Sequence, residues 1–274
     1  MRALAALSLA VTALSSLSCA TSTRPFGDPE AGADADPIFT RDSGPIGPAA
    51  EVYGETPAAL YRVNPISKGV EKIGTFQGCI YVNDIALDHD SNLYGVTATQ
   101  LYLIDTNTAR CTPISSGSFP NSLSFVPAGT LDSVEALVGY EGGDYVRVDV
   151  QTGKKTKVGD LGGGFVSSGD IVSVIGGKTF LTVKGNGCND CLAEVDPKTG
   201  ALVRNWGALG HADVFGLAFW GGKLYGFASD STLFEVSLSM GSATTTDIPI
   251  PNQPPGIAWA GAGSTTSAPL EVPK

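Results

Sequence analysis

A run of the form Leu-Tyr-x-[Val/Ile]-[Asp/Asn] recurs along this chain, and its spacing constrains the fold more than any other feature. The copies begin 41, 44, 47 and 41 residues apart, at Leu60, Leu101, Tyr145, Leu192 and Leu233. A turn follows each copy, as at Asp149–Gly153, where the aspartate can accept hydrogen bonds from the turn and the glycine can adopt a positive φ. Another strand-like run comes next. The regular interval indicates a repeated structural unit.

Two further apolar runs complete each unit. One has the form Val-Tyr-Gly or Leu-Tyr-Gly at Val52, Leu93 and Leu224, and Leu-Val-Gly at Leu137. The other is nearly all apolar, with small neighbours that suit a strand packed on both faces, and it is centred on Ile85, Leu123, Ile171, Leu217 and Ile257. Four strands in about 40 to 48 residues are typical of a β-propeller blade. A β-sandwich with similar hairpins is the alternative, which five registered turns disfavour.

The ends of the repeat region predict how the ring closes. The chain enters at the second strand of a blade, Glu51–Thr56, and leaves with an unpaired first strand, Pro255–Ala260. Unpaired sheet edges template aggregation, and pairing these two segments removes both edges. We therefore predict an all-β, five-bladed β-propeller over residues 51–262, closed by pairing of the N- and C-terminal strands, with a C-terminal tail at 263–274.

Composition agrees with this fold class and limits the partners. The 35 glycines and 17 prolines, with only 16% charged residues, fit many short strands joined by turns and disfavour a helical bundle. The formal net charge is −10 and no basic cluster is present. Binding to nucleic acid requires a positive surface that displaces counterions, so we expect no nucleic-acid partner.

The first 19 residues have the pattern of an export signal. Arg2 precedes an apolar run that continues to Leu17 and is too short to span a bilayer comfortably. The Leu-Ser-Cys sequence ending at Cys19 resembles the lipobox of bacterial lipoproteins, which implies that Cys19 is lipidated and that the chain touches the membrane through this anchor only. Ser16 departs from the lipobox pattern, and an ordinary signal peptide cut nearby is the alternative.

The next segment, residues 20–50, is rich in Ala, Gly, Pro, Asp, Ser and Thr. It has too few large apolar side chains to offset the entropy of ordering, so we expect a disordered tether. Thr21, the second residue after Cys19, resembles the sorting position of lipoproteins sent to the outer membrane. The expected location is therefore the bacterial outer membrane or cell surface, with a periplasmic or secreted protein as the alternative.

The blades themselves resemble bacterial extracytoplasmic propeller repeats with D-x-D-G-N-L-Y-like turns. The corresponding segment here is Asp88–Tyr94, D-H-D-S-N-L-Y. The resemblance implies an architecture and no single function. Gluconolactonases hold calcium in the channel of a six-bladed propeller, and streptogramin lyases use a histidine on a seven-bladed one, but neither site maps onto this sequence residue by residue.

The cysteines predict disulfides. Cys188 and Cys191 lie in an enlarged hairpin, and two cysteines are too few ligands for a structural zinc site. Because no helix follows to stabilise a thiolate, and the compartment is expected to be oxidising, a local disulfide is the favoured interpretation. Cys79 and Cys111 form the other pair. They can meet only if the crossover containing Cys79 folds over the rim, and their pairing stays open.

Familiar catalytic patterns are missing from the sequence. Asp88–Asn92 suggests a calcium loop but lacks the later ligands, so we expect a hairpin turn. His89 and His211 fall in loops on opposite rims of the predicted ring, which gives no support for a Ser-His-Asp relay.

One set of residues should converge at the mouth of the central channel because they lie at or just before the innermost strands: Asn83, Asp84, Asn121, Ser122, Gly169, Asp170 and Asp213. Carboxylate and amide oxygens there could bind calcium or a polar ligand. Alternatively, they cap the crossovers and bind channel water. No cofactor is required by the sequence, and calcium is the one these groups could hold.

These observations favour a binding or interaction module over an enzyme. The expected ligand is a protein, a glycan or a small molecule. The alternative is a calcium-assisted hydrolase or lyase with its site at the channel mouth. The two hypotheses differ in whether the channel carboxylates hold a metal ion.

Overall fold

The computed structural model describes residues 52–250 and 257–273, and within them the protein is all-β. The strands of the described chain, in order, are β1 Val52–Thr56, β2 Ala59–Val63, β3 Val70–Thr75, β4 Asp84–Leu87, β5 Leu93–Val96, β6 Gln100–Ile104, β7 Cys111–Ser116, β8 Leu123–Val126, β9 Ala136–Glu141, β10 Asp144–Val148, β11 Lys155–Asp160, β12 Val166–Ser173, β13 Thr179–Gly185, β14 Cys188–Val195, β15 Leu202–Ala208, β16 Val214–Trp220, β17 Lys223–Ala228, β18 Leu233–Ser239, β19 Ser242–Asp247 and β20 Gly261–Ser264.

These strands form five antiparallel four-stranded sheets, as the repeats predict. Blade 1 has the order β20-β1-β2-β3, and blades 2 to 5 each use four consecutive strands. The innermost strands β20, β4, β8, β12 and β16 pack against one another around the ring, and β16 packs against β20. The protein is therefore a five-bladed β-propeller. Within the described residues no helix is long and apolar enough to cross a bilayer.

The ring is closed by the C-terminal strand, but not at the predicted position. Strand β20 is Gly261–Ser264, paired with β1 so that Gly54 lies opposite Ala262. Residues 257–260 precede this strand and are not part of it. The apolar run around Ile257 was therefore the wrong segment to assign. Trp259 instead packs edge-on against Tyr61 and Phe227, with ring centroids 5.2 Å apart in both pairs.

Each interface between neighbouring blades has its own hydrophobic core. Five clusters of buried residues account for the five interfaces, including the one across the closure between blades 5 and 1. A second contact recurs at the periphery, where the end of an outermost strand meets the outer turn of the next blade. A Cβ on Gly117, for example, would lie 2.6 Å from the carbonyl oxygen of Gly153. Small residues are therefore required where blades meet edge to edge.

The predicted outer turns are confirmed. Asp149 Oδ1 accepts hydrogen bonds from the backbone N–H groups of Gln151 (3.0 Å) and Thr152 (2.9 Å), and Gly153 has φ +69°. Asp105 accepts two backbone bonds in the same way. In each turn, the aspartate side chain thereby accepts hydrogen bonds from backbone N–H groups of the turn.

Two rims can be distinguished. The crossover rim carries the connections from one blade to the next, at residues 76–83, 117–122, 161–165 and 209–213. On the opposite rim, residues after β20 run across the ring. Thr265 Oγ1 donates to the carbonyl of Asp88 in blade 2 (2.7 Å), and the N–H of Ile175 in blade 4 donates to Thr266 (2.8 Å). The last turns of the chain therefore tie several blades together.

The predicted disulfide Cys188–Cys191 is present, and so is Cys79–Cys111, whose pairing the sequence left open. The latter links the crossover into blade 2 to the outermost strand of that blade, as it must if the crossover folds over the rim. Cys111 N–H also donates to the carbonyl of Gln77, and Gln77 N–H donates to the carbonyl of Ala109. The export signal at 1–19, with Cys19, and the tether at 20–50 lie outside the described residues and stay predictions.

Candidate functional site

Each innermost strand contributes one residue at the same register position, at the start of its closely packed part. The set contains two aspartates, a serine and two glycines, which are Asp84, Ser122, Asp170, Gly216 and Gly261, each immediately before the residue that pairs at the centre of the second strand. The three polar side chains are completely buried. The glycines leave room for them. A Cβ on Gly261 would lie 2.3 Å from Asp84 Oδ1.

Glu55 joins this group from the second strand of blade 1. Glu55 pairs with Gly261 and is fully buried. A Cβ on Gly261 would lie 3.0 Å from Glu55 Oε1. The sequence analysis missed Glu55. The equivalent position in the other blades is occupied by Val96, Tyr140, Thr182 and Phe227, all buried. When the repeats are aligned, Glu55 is the one charged residue at a position that is otherwise uncharged. That difference was the signal by which the sequence could have identified it.

Backbone N–H groups hold the aspartates. Asp170 Oδ1 accepts from Ile171 N–H (2.6 Å) and its Oδ2 accepts from Leu217 N–H of the next blade (2.7 Å). Asp84 Oδ1 accepts from Ile85 N–H (2.8 Å). Among the described residues, neither carboxyl oxygen of Glu55 has a hydrogen-bond partner, and Asp84 Oδ2 has none. We call Glu55, Asp84 and Asp170 the carboxyl cluster.

Burial dominates the electrostatics of the carboxyl cluster. It raises the pKa of Glu55 well above the usual value, and the charge of Asp170 raises it further. Burial and then the Asp170 charge likewise raise the pKa of Asp84. Burial also raises the pKa of Asp170, but the hydrogen bond from Leu217 N–H opposes that shift. Burial therefore favours the protonated forms of Glu55 and Asp84, while two backbone N–H donors make Asp170 the carboxyl group best able to carry a negative charge.

The described residues contain no group of three or more His, Cys, Asp or Glu side chains arranged to hold a metal ion. The carboxyl cluster is fully buried, and burial favours the protonated form of its acids.

Of the side chains predicted at the channel mouth, the structure brings together Asp84, Ser122 and Asp170. Asn83 is half-buried, and its N–H donates to the carbonyl of Val96 (2.7 Å). Asn121 and Asp213 are exposed, and Asp213 N–H donates to Asp190 Oδ2 (2.8 Å). The latter two therefore lie on the rim surface, outside the carboxyl cluster.

The crossover rim also exposes two large apolar side chains. Ile80 is 72% exposed and Tyr81 is 73% exposed. They lie between Cys79, which is buried and disulfide-bonded, and Val82, which is fully buried in the core between blades 1 and 2. The anchors on both sides hold this pair in solvent.

The enlarged hairpin of blade 4 lies on the same rim. Asp190, between the disulfide-bonded Cys188 and Cys191, is buried, and its carbonyl accepts from Leu209 N–H (3.1 Å). Together with the bond from Asp213 N–H to its side chain, this attaches the hairpin to the crossover into blade 5. The disulfide and Asp190 therefore fix the rim around the fourth blade.

No protein-family model matches the sequence, and no curated protein is similar to it. Solved structures match at low identity. TolB from Acinetobacter baumannii is 17% identical with a TM-score of 0.44, over 78% of this chain and 53% of TolB, so the chain spans about half the length of that protein. A Bacteroides caccae protein of unknown function matches at 11% identity and TM-score 0.39, over 71% of each chain.

The periplasmic gluconolactonase PpgL of Pseudomonas aeruginosa is 12% identical to this chain. Its TM-score is 0.40, over 76% of this chain and 69% of that protein. Similarity at this level carries no argument about function. The five-bladed architecture rests on the strand pairing described above.

Proposed function

We propose that this chain is an extracytoplasmic binding module, attached to the bacterial outer membrane or cell surface by a lipid on Cys19, that binds its ligand on the crossover rim. The observation that carries the proposal is the exposure of Ile80 and Tyr81 between two buried anchors. Because the backbone on both sides of this pair is already anchored, a ligand that covers the two side chains does not have to order the segment that carries them.

The remaining features support the same conclusion. The carboxyl cluster has no exposed atom at the rim, because all three residues are 0% exposed. A substrate would have to open the ring to reach it. Two disulfides suit a protein that folds in an oxidising compartment.

Site-specific photo-crosslinking in intact cells tests this function. A photoreactive phenylalanine analogue replaces Tyr81 in the full-length chain, and a matched variant carries it at Ile66, which is 70% exposed in an outer turn. We expect a discrete adduct from position 81 that position 66 does not give. Identical adducts from both positions, or none from position 81, would refute binding at the crossover rim.

A further inference from the structure

A groove of about 310 Å³ adjoins the exposed pair on the crossover rim. It lies between the crossover into blade 2 and the hairpin that joins β5 to β6. Its polar and aromatic groups come from Tyr81, Asn83, Thr97, Thr99, Gln100 and Tyr102. We call it the blade 2 groove.

None of the residues that line the blade 2 groove is charged. The whole chain has a formal net charge of −10, and the residues that line this groove contribute none of it. A cation, an anion or a charged peptide would find no partner of opposite sign there, and losing its hydration would go uncompensated. A neutral ligand avoids that cost.

Several hydrogen-bonding groups in the groove are open. Among the described residues, the side-chain amide of Asn83 and the hydroxyls of Tyr81 and Tyr102 make no hydrogen bond within the protein. Gln100 Nε2 donates to Ser116 Oγ (2.9 Å), which orients the amide and leaves its oxygen as an acceptor. The amide and phenol groups provide both donors and acceptors. A ligand that satisfies them must itself carry many neutral donors and acceptors.

The backbone at Tyr81 is constrained by its neighbours. Tyr81 has φ +56°, a conformation that bulky residues rarely adopt, and the neighbouring anchors at Cys79 and Val82 maintain it. The anchored backbone therefore places a 73% exposed ring on the rim, with an apolar face and a polar hydroxyl at its edge. The C–H faces of a pyranose ring pack on such a surface, while its hydroxyls reach neighbouring amides.

We propose that the blade 2 groove binds a neutral oligosaccharide, with Tyr81 as the stacking platform and Asn83 as the main hydrogen-bonding side chain. The inference rests on the proposed binding function and specifies its ligand class. Because no charged residue lines the blade 2 groove, the groove favours a neutral ligand over the metal ions and charged polymers that an acidic protein attracts elsewhere.

Calorimetry on the native chain, purified from cells in a non-glycosidic detergent, tests the proposal. The probes are maltohexaose, cellohexaose and N-acetylchitohexaose, each at up to millimolar concentration. We expect at least one probe to bind. Tyr81→Gly, which suits a positive φ, should weaken that binding by about tenfold or more, as expected for an anchor residue, whereas Tyr81→Phe should weaken it less.

Matched variants separate the groove from general surface effects. Ile66→Ala removes an equally exposed side chain elsewhere and should leave affinity unchanged. Asn83→Ala should weaken binding while keeping the backbone bond to Val96. Thermal melting of each variant confirms that it is folded.

Two results would overturn the proposal. The first is failure of all three neutral probes to bind, and the second is binding that Tyr81→Gly leaves intact. Should position 81 nevertheless crosslink to a protein in cells, the binding function stands and the oligosaccharide assignment falls.

Discussion

Glu55 is the residue through which pH should act most directly on this fold. A carboxyl group with a raised folded-state pKa binds more protons in the folded than in the unfolded chain once the pH exceeds the unfolded value of about 4.3. The free energy of unfolding must then fall as pH rises towards the folded pKa, by at most about 1.4 kcal/mol per pH unit for each such group. We therefore predict a lower denaturant midpoint at pH 8 than at pH 5.

The variant Glu55→Gln isolates the contribution of Glu55 to this slope. It keeps the shape but cannot ionise, so stability should change less between pH 5 and pH 8 than in the parent. Glu71→Gln is the control because its side chain is 73% exposed. A parent that is equally stable across this range, or a Glu55→Gln variant with the parent's slope, would refute a protonated Glu55. Asp105 and Asp149 do not interfere, since their lowered pKa values act below this window.

Gly261 provides a second test at the residue scale. A Cβ there would lie 2.3 Å from Asp84 Oδ1 and 2.9 Å from Asp84 Cα. Gly261→Ala should therefore reduce the free energy of unfolding by about 1–3 kcal/mol, the usual cost of overpacking. Gly143→Ala is the control, because the nearest atom to its Cβ would be 3.7 Å away. Equal melting curves for the two variants would mean that the carboxyl cluster has room to spare.

Sequence reasoning reached the carboxyl cluster only in part. Asp84 and Asp170 could be placed because they precede apolar runs in the same register. Glu55 lies in a strand whose alternation looked ordinary, and only superposition of the repeats exposes it. Asn121 directly precedes Ser122 in the chain. Because a shift of one residue sends a side chain to the other face, Ser122 is buried whereas Asn121 is exposed.

At the scale of elements, the repeat period was enough to predict blades, turns and closure, but not the closing strand itself. The apolar criterion selected the run around Ile257, whereas β20 contains only Gly, Ala and Ser. The side chains of β20 must be small because the innermost strands approach one another closely there. A Cβ on Gly263 would lie 3.0 Å from the carbonyl oxygen of Ile85.

Two truncations distinguish the closing strand from the segment that follows it. A chain that ends at Ala260 lacks β20 and exposes two sheet edges, so we expect aggregation or loss of cooperative melting. A chain that ends at Ser264 keeps the ring but loses the backbone bonds to Ile175 and Gly221. It should melt cooperatively with stability lower by on the order of a few kcal/mol. If the shorter chain melts like the parent, β20 does not close the ring.

The whole molecule combines a closed ring with a predicted membrane anchor. Mass spectrometry of the native N-terminus should find diacylglyceryl-modified Cys19. The prediction follows from the apolar export signal and the Leu-Ser-Cys sequence. A Cys19→Ala variant should lose the modification and leave the membrane fraction. An unmodified N-terminus that begins beyond Cys19 would indicate a secreted or periplasmic protein instead.

The central claim at this scale is that the carboxyl cluster holds protons while binding takes place on the rim. Thermal melting with and without calcium, on the parent and on Asp84→Asn/Asp170→Asn, tests it most directly. A ligand that binds only the folded state raises the melting temperature by mass action. We predict no calcium-dependent shift in the parent. The double variant should be less stable than the parent, because an amide at position 170 can accept only one of the two backbone hydrogen bonds that Asp170 accepts. A clear shift in the parent that disappears in the double variant would contradict the account and make a calcium-assisted hydrolase or lyase the leading hypothesis.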